Sequence, residues 1–165
     1  MASPSTVGPM ICQCGETAWV RAAPTIVTLT DAEDLLFLQK HRSIRGKGYP
    51  TDCKGRALHR ALCPPQDESL TVDHKNRNRA DCRKSNLRVC TFQQNQWNRG
   101  PQKGSASKFK GVSPMVNGWR AEIMVDGRAI YLGYYRDQRD AARAYDEAAK
   151  RLHGEFAYLN FREAA

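Results

Sequence analysis

The chain has 165 residues, of which 41% are hydrophobic and 26% charged, and it carries a formal net charge of +9. That length suits one ordinary domain or two small ones. No apolar run approaches the ~18 residues a membrane-spanning helix needs, and the start MASPSTVGPMICQCGETAW has neither the basic nor the apolar region of a secretory signal. An intracellular protein with no membrane contact is expected. The charge is uneven: residues 1–40 hold two Lys/Arg and four Asp/Glu, residues 41–104 fourteen and five, and residues 105–165 ten and eight. The whole excess lies in the middle, which points to a polyanionic partner there, a nucleic acid, against the alternative of a solvated surface with no ligand. The six cysteines, Cys12, Cys14, Cys53, Cys63, Cys82 and Cys90, form no C-x-x-C pair. Reduced, partly buried thiols are expected. A structural zinc on Cys12 and Cys14, with Cys53 or a His, is the alternative use.

In chain order, residues 1–10 are Pro/Ser/Gly-rich and are expected to be disordered. Two short strands are predicted at 17–21 and 25–29, broken by Pro24. Thr30 and Glu33 then have the form of a capping box opening a short helix over 31–40. Residues 42–55 read as a basic, glycine-rich loop leading to a strand near 49–53. Ala57–Cys63 is a short amphipathic piece, helical or extended, stopped by Pro64 and Pro65. Ser69–Asp73 is a strand by its β-branched content, Asn76–Asp81 a polar turn, Leu87–Thr91 a second strand, and Phe92–Asn98 a short helix with Thr91 as a candidate N-cap.

Residues 101–106 read as a linker by their Gly/Ser/Pro content. Beyond it lies a different pattern. A strand over 109–115 meets a turn at Asn117-Gly118. Trp119, Ala121, Ile123 and Val125 alternate with Arg120, Glu122 and Met124, the signature of a half-buried strand. Asp126-Gly127 is a hairpin turn, followed by a third strand over 128–135. Three strands with one apolar face need a cover. Ala141, Ala144, Tyr145, Ala148 and Leu152 recur at helical spacing behind Asp137 as N-cap, and Gly154 stands where a left-handed cap belongs.

The stretch 71–99, TVDHKNRNRADCRKSNLRVCTFQQNQWNR, holds the residues able to do chemistry. Cutting a phosphodiester requires a base for water and positive charge for the phosphate and leaving oxygen. His74 can be that base. Asp73 offers a carboxylate oxygen and Asn95 an amide oxygen, a pair that suits Mg²⁺ or Mn²⁺ with several waters retained. Asn86 can bond the backbone or the imidazole and so set His74's orientation. Neighbouring strand residues point to opposite faces, so Asp73 and His74 can share one phosphate only where the strand ends or bulges.

These residues, with Asn98 trailing, resemble the HNH endonuclease motif of the ββα-metal fold over about 56–99, Leu58–Arg60 included. The resemblance implies His74 as general base, Asp73 and Asn95 as metal ligands and Asn86 as the middle, geometry-setting member of the catalytic set. Asn in place of the last His is familiar among phage intron-type homing endonucleases. Asn98 reads as a backbone cap and His59 as packed structure. Arg60 is left between a phosphate contact and a plain surface charge.

The second half, with its YLG, AARAYDEAA and LNF blocks, resembles the Apetala-type DNA-binding domain of plant ethylene-response factors over about 106–161. The resemblance implies a sheet that enters the DNA major groove with a helix packed behind it. Lys110, Arg120, Glu122, Met124, Arg128 and Tyr131 are the outward positions, where Lys and Arg would meet phosphates or guanine. Arginines of the plant pattern fall here at Ser113, Met115, Met124 and Ala129. Trp119 reads as core; Tyr131 stands between packing and readout.

The expected architecture is α+β: an N-terminal segment at 1–55, a ββα nuclease module at 56–100, a linker at 101–106, and at 107–161 a three-stranded antiparallel sheet packed on one helix. The expected activity is metal-dependent, strand-nicking cleavage of double-stranded DNA, leaving 3′-OH and 5′-phosphate ends as the resemblance implies. The location would be the cytoplasm of a bacterial host if the gene belongs to a phage or mobile element. A DNA-binding regulator that keeps a nuclease fold without catalysis is the alternative.

Overall fold

The computed structural model describes residues 10–11, 16–23, 26–35 and 56–161. The expectations for residues 1–9, for the loop and strand over 42–55 and for zinc on Cys12, Cys14 and Cys53 lie outside them. The fold is mixed α and β, and it divides into two compact units between Thr91 and Phe92. Among the described residues no helix is long and apolar enough to cross a membrane.

The first unit opens with an antiparallel sheet in the order β1 (Met10–Ile11), β2 (Thr17–Ala23), β3 (Ile26–Asp31). Thr17 pairs with Asp31, and the register shifts between Arg21 and Ala23. The capping box does not form as expected. Thr30 is a buried strand residue paired with Ala18, and a 3-10 turn runs over Ala32–Asp34 with Asp31 at the N-cap position. Asp31 does not cap it: its carboxylate accepts a hydrogen bond from the Lys84 amide at 2.7 Å. β-Branched Thr30 continues the ladder, and the longer strand moves the turn on by one residue.

The sheet is stitched to a later loop. Leu29 N–H donates to Ala80 O, and Cys82 N–H donates to Leu29 O, both at 2.8 Å, forming a parallel bridge between Leu29 and Asp81. Lys84 adds ion pairs to Glu33 and Asp34. Ala57–Cys63 is helical in α1 (Leu58–Leu62), which buries Leu58 against Cys82 with Leu62 beside it. β4 (Leu70–His74) and β5 (Leu87–Thr91) form an antiparallel hairpin with Leu70 opposite Thr91 and His74 opposite Leu87.

The second unit begins with α2 (Phe92–Trp97). Its sheet runs in the order β6 (Val112–Met115), β7 (Gly118–Val125), β8 (Arg128–Tyr135). Asp126 and Gly127 both take positive φ, the backbone a tight primed hairpin turn demands. α3 (Gln138–His153) starts where Asp137 accepts from the Arg139 amide at 2.5 Å. Its alanines 141, 142, 148 and 149 and Tyr145 are buried against Ala121, Ile123 and Val112. Trp119 packs on this core, as its parity with Ala121 and Ile123 demands. Gly154 has positive φ, but its ψ of −131° is not that of a left-handed cap, and a 3-10 turn over Gly154–Phe156 follows.

β6 starts at Val112, three residues later than its composition suggests, because Gly111 takes φ +73° immediately before it. Its carbonyl accepts from Glu122 N–H at 2.8 Å. A Cβ there would stand 2.0 Å from Tyr145 Cδ2 and 2.6 Å from Glu122 O. Gly111→Ala combines backbone strain with overpacking and is expected to destabilise the second unit by about 3 kcal/mol or more. Thermal unfolding followed by Trp fluorescence will read the loss; an unchanged midpoint would show that Tyr145 has room to move.

Candidate active site

The β4–β5 hairpin positions the candidate side chains. Leu70, Thr71 and Val72 favour an extended backbone, and pairing stays regular to the end, with Asp73 opposite Arg88 and His74 opposite Leu87. There is no bulge at 73–74. The strand simply ends at His74, and the chain turns at once: Arg77 N–H donates to His74 O at 2.8 Å, and Arg77 takes φ 64°. At that end Asp73 and His74 meet different neighbours. Asp73 meets Arg88, whose Nε and Nη2 donate to Oδ2 at 3.0 and 2.8 Å, with both side chains largely buried. His74 meets His59, edge to face, with ring centroids 4.9 Å apart, and its Nε2 lies 3.9 Å from Cys82 Sγ.

Burial lowers the proton affinity of both imidazoles. His59 is pushed down to about 4 by burial first, then by the positive charge of His74, Arg60 and Arg79. His74 is lowered by burial too, against the opposing pull of Asp73 and Asp81 and with a smaller push from Arg79. His74 is thus neutral at neutral pH and available to accept a proton. Burial raises the Cys82 thiol to about 12, which keeps it protonated beside the ring.

Asn86 organises the loop between the strands. Its Oδ1 accepts from Asn76 N–H at 3.0 Å, and its Nδ2 donates to Asn76 Oδ1 at 3.0 Å and to Asp81 O at 2.8 Å. Asn76 Nδ2 in turn donates to Asp81 Oδ2, which Arg83 also grips at 2.6 Å. Arg83 is the main reason the Asp81 carboxyl titrates low. Of the two roles open to Asn86, the structure shows the backbone one, acting on the turn that follows His74.

The other predicted positions scatter. Asn95 lies on α2 in the second unit. Arg60 is exposed on α1, with Nη2 3.5 Å from Thr71 Oγ1. Lys110 does not project from the sheet: its ammonium donates to the carbonyls of Gln96 and Trp97 at 3.2 and 2.6 Å, closing the end of α2. Arg120 and Glu122 form an ion pair with each other, and Tyr131 lies opposite Glu122, 62% exposed. Tyr131 therefore belongs to the outward face. Met115, Met124 and Tyr134 are exposed there as well, while Arg128 is exposed beside the hairpin turn.

Arg88 and Asp81 were not anticipated. Arg88 could have been found by pairing LTVDH against LRVCT, since the register that aligns their apolar residues sets it opposite Asp73. Among the described residues no three His, Cys, Asp or Glu side chains gather to hold a metal ion. Asp73 offers a carboxylate, an oxygen donor that fits a hard, water-retaining cation better than zinc. Any cation on Asp73 would share its carboxylate with the Arg88 guanidinium.

Comparison with known proteins adds two findings. Residues 63–97 match the family model for HNH endonucleases. An uncharacterized HNH endonuclease, L560, of Acanthamoeba polyphaga mimivirus is 32% identical over 135 residues, covering 75% of this chain and 69% of that protein. The C-terminal region is similar to an AP2/ERF and B3 domain-containing protein of Oryza sativa subsp. japonica, 46% identical over 61 residues, or 36% of this chain. It is also similar to the AP2/ERF and B3 domain-containing transcription repressor TEM1 of Arabidopsis thaliana, 40% identical over 58 residues, or 34% of this chain. The chain spans only about a sixth of the length of those two plant proteins.

The buried imidazoles make stability depend on pH. His59 titrates at about 4 when folded and near 6.5 when free. Between those values the unfolded chain binds a proton that the folded chain does not. Stability is therefore full above about pH 6.5 and falls on acidification by about 1.4 kcal/mol per pH unit, levelling off near pH 4. Urea unfolding at pH 7 and pH 5 is expected to differ by about 2 kcal/mol from this group alone. Equal midpoints at the two pH values would contradict it.

Proposed function

The chain belongs to the HNH endonuclease family, enzymes that hydrolyse phosphodiester bonds, and from that premise we propose that it is a metal-dependent, strand-nicking endonuclease of homing type acting on double-stranded DNA. The observation that carries the reading is His74: a neutral imidazole at the very end of β4, inside the stretch that matches the family, with its following turn laced by Asn86.

His74 takes the proton from the attacking water. Its ring is backed by His59 and Cys82, which carry no negative charge to compete for the proton at neutral pH. Asn86 keeps the turn after His74 in one conformation and so holds the base in place. Asp73 is the carboxylate ligand of a Mg²⁺ or Mn²⁺ ion, and Asn95 is assigned as its second oxygen ligand on the sequence pattern. When bound, such an ion supplies positive charge for the phosphate and the leaving oxygen. Arg88 holds the Asp73 carboxylate in position.

We assign the nuclease module to 56–100 and targeting to the sheet at 107–161, joined through 101–106. Similarity to plant AP2/ERF proteins supports the second assignment. Arg120, Glu122 and Tyr131, on the outward face, are its candidate DNA contacts, with Arg128 at its margin. The exposed Met115 and Met124 alter the readout from the plant pattern. Lys110 has a helix-closing role in addition to any contact with DNA.

Supercoiled plasmid incubated with Mg²⁺ is expected to relax to the nicked circle, and His74→Ala is expected to lose ~10²–10⁴ of the rate with DNA affinity retained. Asp73→Ala should abolish the response to Mg²⁺. Wild type that cuts no faster than His74→Ala, on plasmid or on the DNA flanking its own gene, would sink the catalytic reading. Binding without cleavage would favour a regulator on a nuclease fold.

A further inference from the structure

A cavity of about 510 Å³ opens at the start of α1, lined by Arg56, Ala57, His59 and Arg60. Arg56 and Arg60 are exposed and project at its rim, Ala57 leaves space between them, and the buried His59 stands in its wall. His59 in turn lies edge to face on His74, the candidate base, with ring centroids 4.9 Å apart. The cavity and the base therefore share one wall.

Arg60 and Arg79 add positive charge at His59, while on His74 the carboxylates of Asp73 and Asp81 outweigh Arg79. The neighbouring carboxylates are answered elsewhere. Asp73 lies against Arg88, and Asp81 against Arg83 and Asn76. Among the described residues no acidic side chain lines the cavity.

We propose that this cavity seats a phosphate of the DNA strand being cut, a second phosphate beside the one presented to His74, with Arg56 and Arg60 as its ligands. A guanidinium can grip a phosphodiester through two parallel N–H donors. Two of them across a concave site, next to a base, form an anchor for a backbone, and such contacts carry no base preference. The anchor grips the strand equally before and during the reaction, so it acts on affinity and not on the chemical step. The proposal rests on reading His74 as the base of a DNA endonuclease.

The test uses the full chain and a short random-sequence duplex, with fluorescence anisotropy read across a salt series without divalent metal. Removing one phosphate contact is expected to make the slope of log K against log [salt] shallower by about 0.9 in Arg56→Gln. Arg56→Lys should restore most of it, and Arg143→Gln, an exposed charge on α3, should leave it alone. Arg56 is exposed, and an unchanged unfolding midpoint will establish that the variant is folded. In cleavage assays Arg56→Gln is expected to raise KM several-fold with kcat close to wild type. A slope in Arg56→Gln equal to wild type overturns the proposal. So does an equal change in Arg143→Gln, or a wild type that does not bind the duplex. If the slope shifts as expected while wild type cuts no faster than His74→Ala, the phosphate seat stands and the nuclease reading falls.

Discussion

One carboxamide holds the candidate site in shape. Asn86 donates twice and accepts once, and all three bonds close on the polar loop between β4 and β5. That loop has little apolar content of its own, so its order must come from hydrogen bonds. With it pinned, Ala80–Cys82 can pair with Leu29, Cys82 can fill the space beneath Leu58, and His74 ends its strand against a wall of fixed neighbours. Remove the lacing and a buried amide network is left half satisfied, which is worse than having none.

The second unit solves a similar problem with a carboxylate. Asp146, buried on α3, accepts from the Asn160 amide, the Asn160 side chain and the Phe161 amide at 2.8 to 3.0 Å. Asn160 then grips the backbone of Lys110 on both its polar groups. The C-terminal run is thereby tied to the segment that enters β6. The alanine-rich face of α3 lies close to the sheet, and Tyr145 fills the space that Gly111 leaves open. The opposite face carries the Arg120–Glu122 pair and the exposed Tyr131, Tyr134, Met115 and Met124.

Much of this is legible in the residues. LRVCT reads as a strand because β-branched and apolar residues alternate, and the register then places Asp73 and His74 at the hairpin's end. Asp126-Gly127 and Asp137 announce a turn and a cap by chemistry that few other residues supply. What escapes are the partners distant in sequence. Nothing local to Asp73 shows Arg88, and nothing local to Lys110 shows that its charge is taken by carbonyls of α2. Thr30 and Glu33 spell a capping box, yet the strand takes Thr30, since pairing with Ala18 outweighs a local cap. Leu29 as a bridge to Asp81 could not be seen at all, because a single bridge leaves no periodicity.

The stacking of Trp97 on His153, 4.3 Å apart and nearly parallel, bears on how such a chain can be reassembled. Together with the Lys110 ammonium on α2, it ties the helix before the glycine-rich stretch at 101–106 to the elements that follow it. A gene exchange cut through that stretch would hand the sheet to a new host without the short helix whose end Lys110 closes. Lys110 would keep its charge and lose its carbonyls, and a face of His153 would be bared. Shuffling that respects this packing would carry α2 along with the sheet.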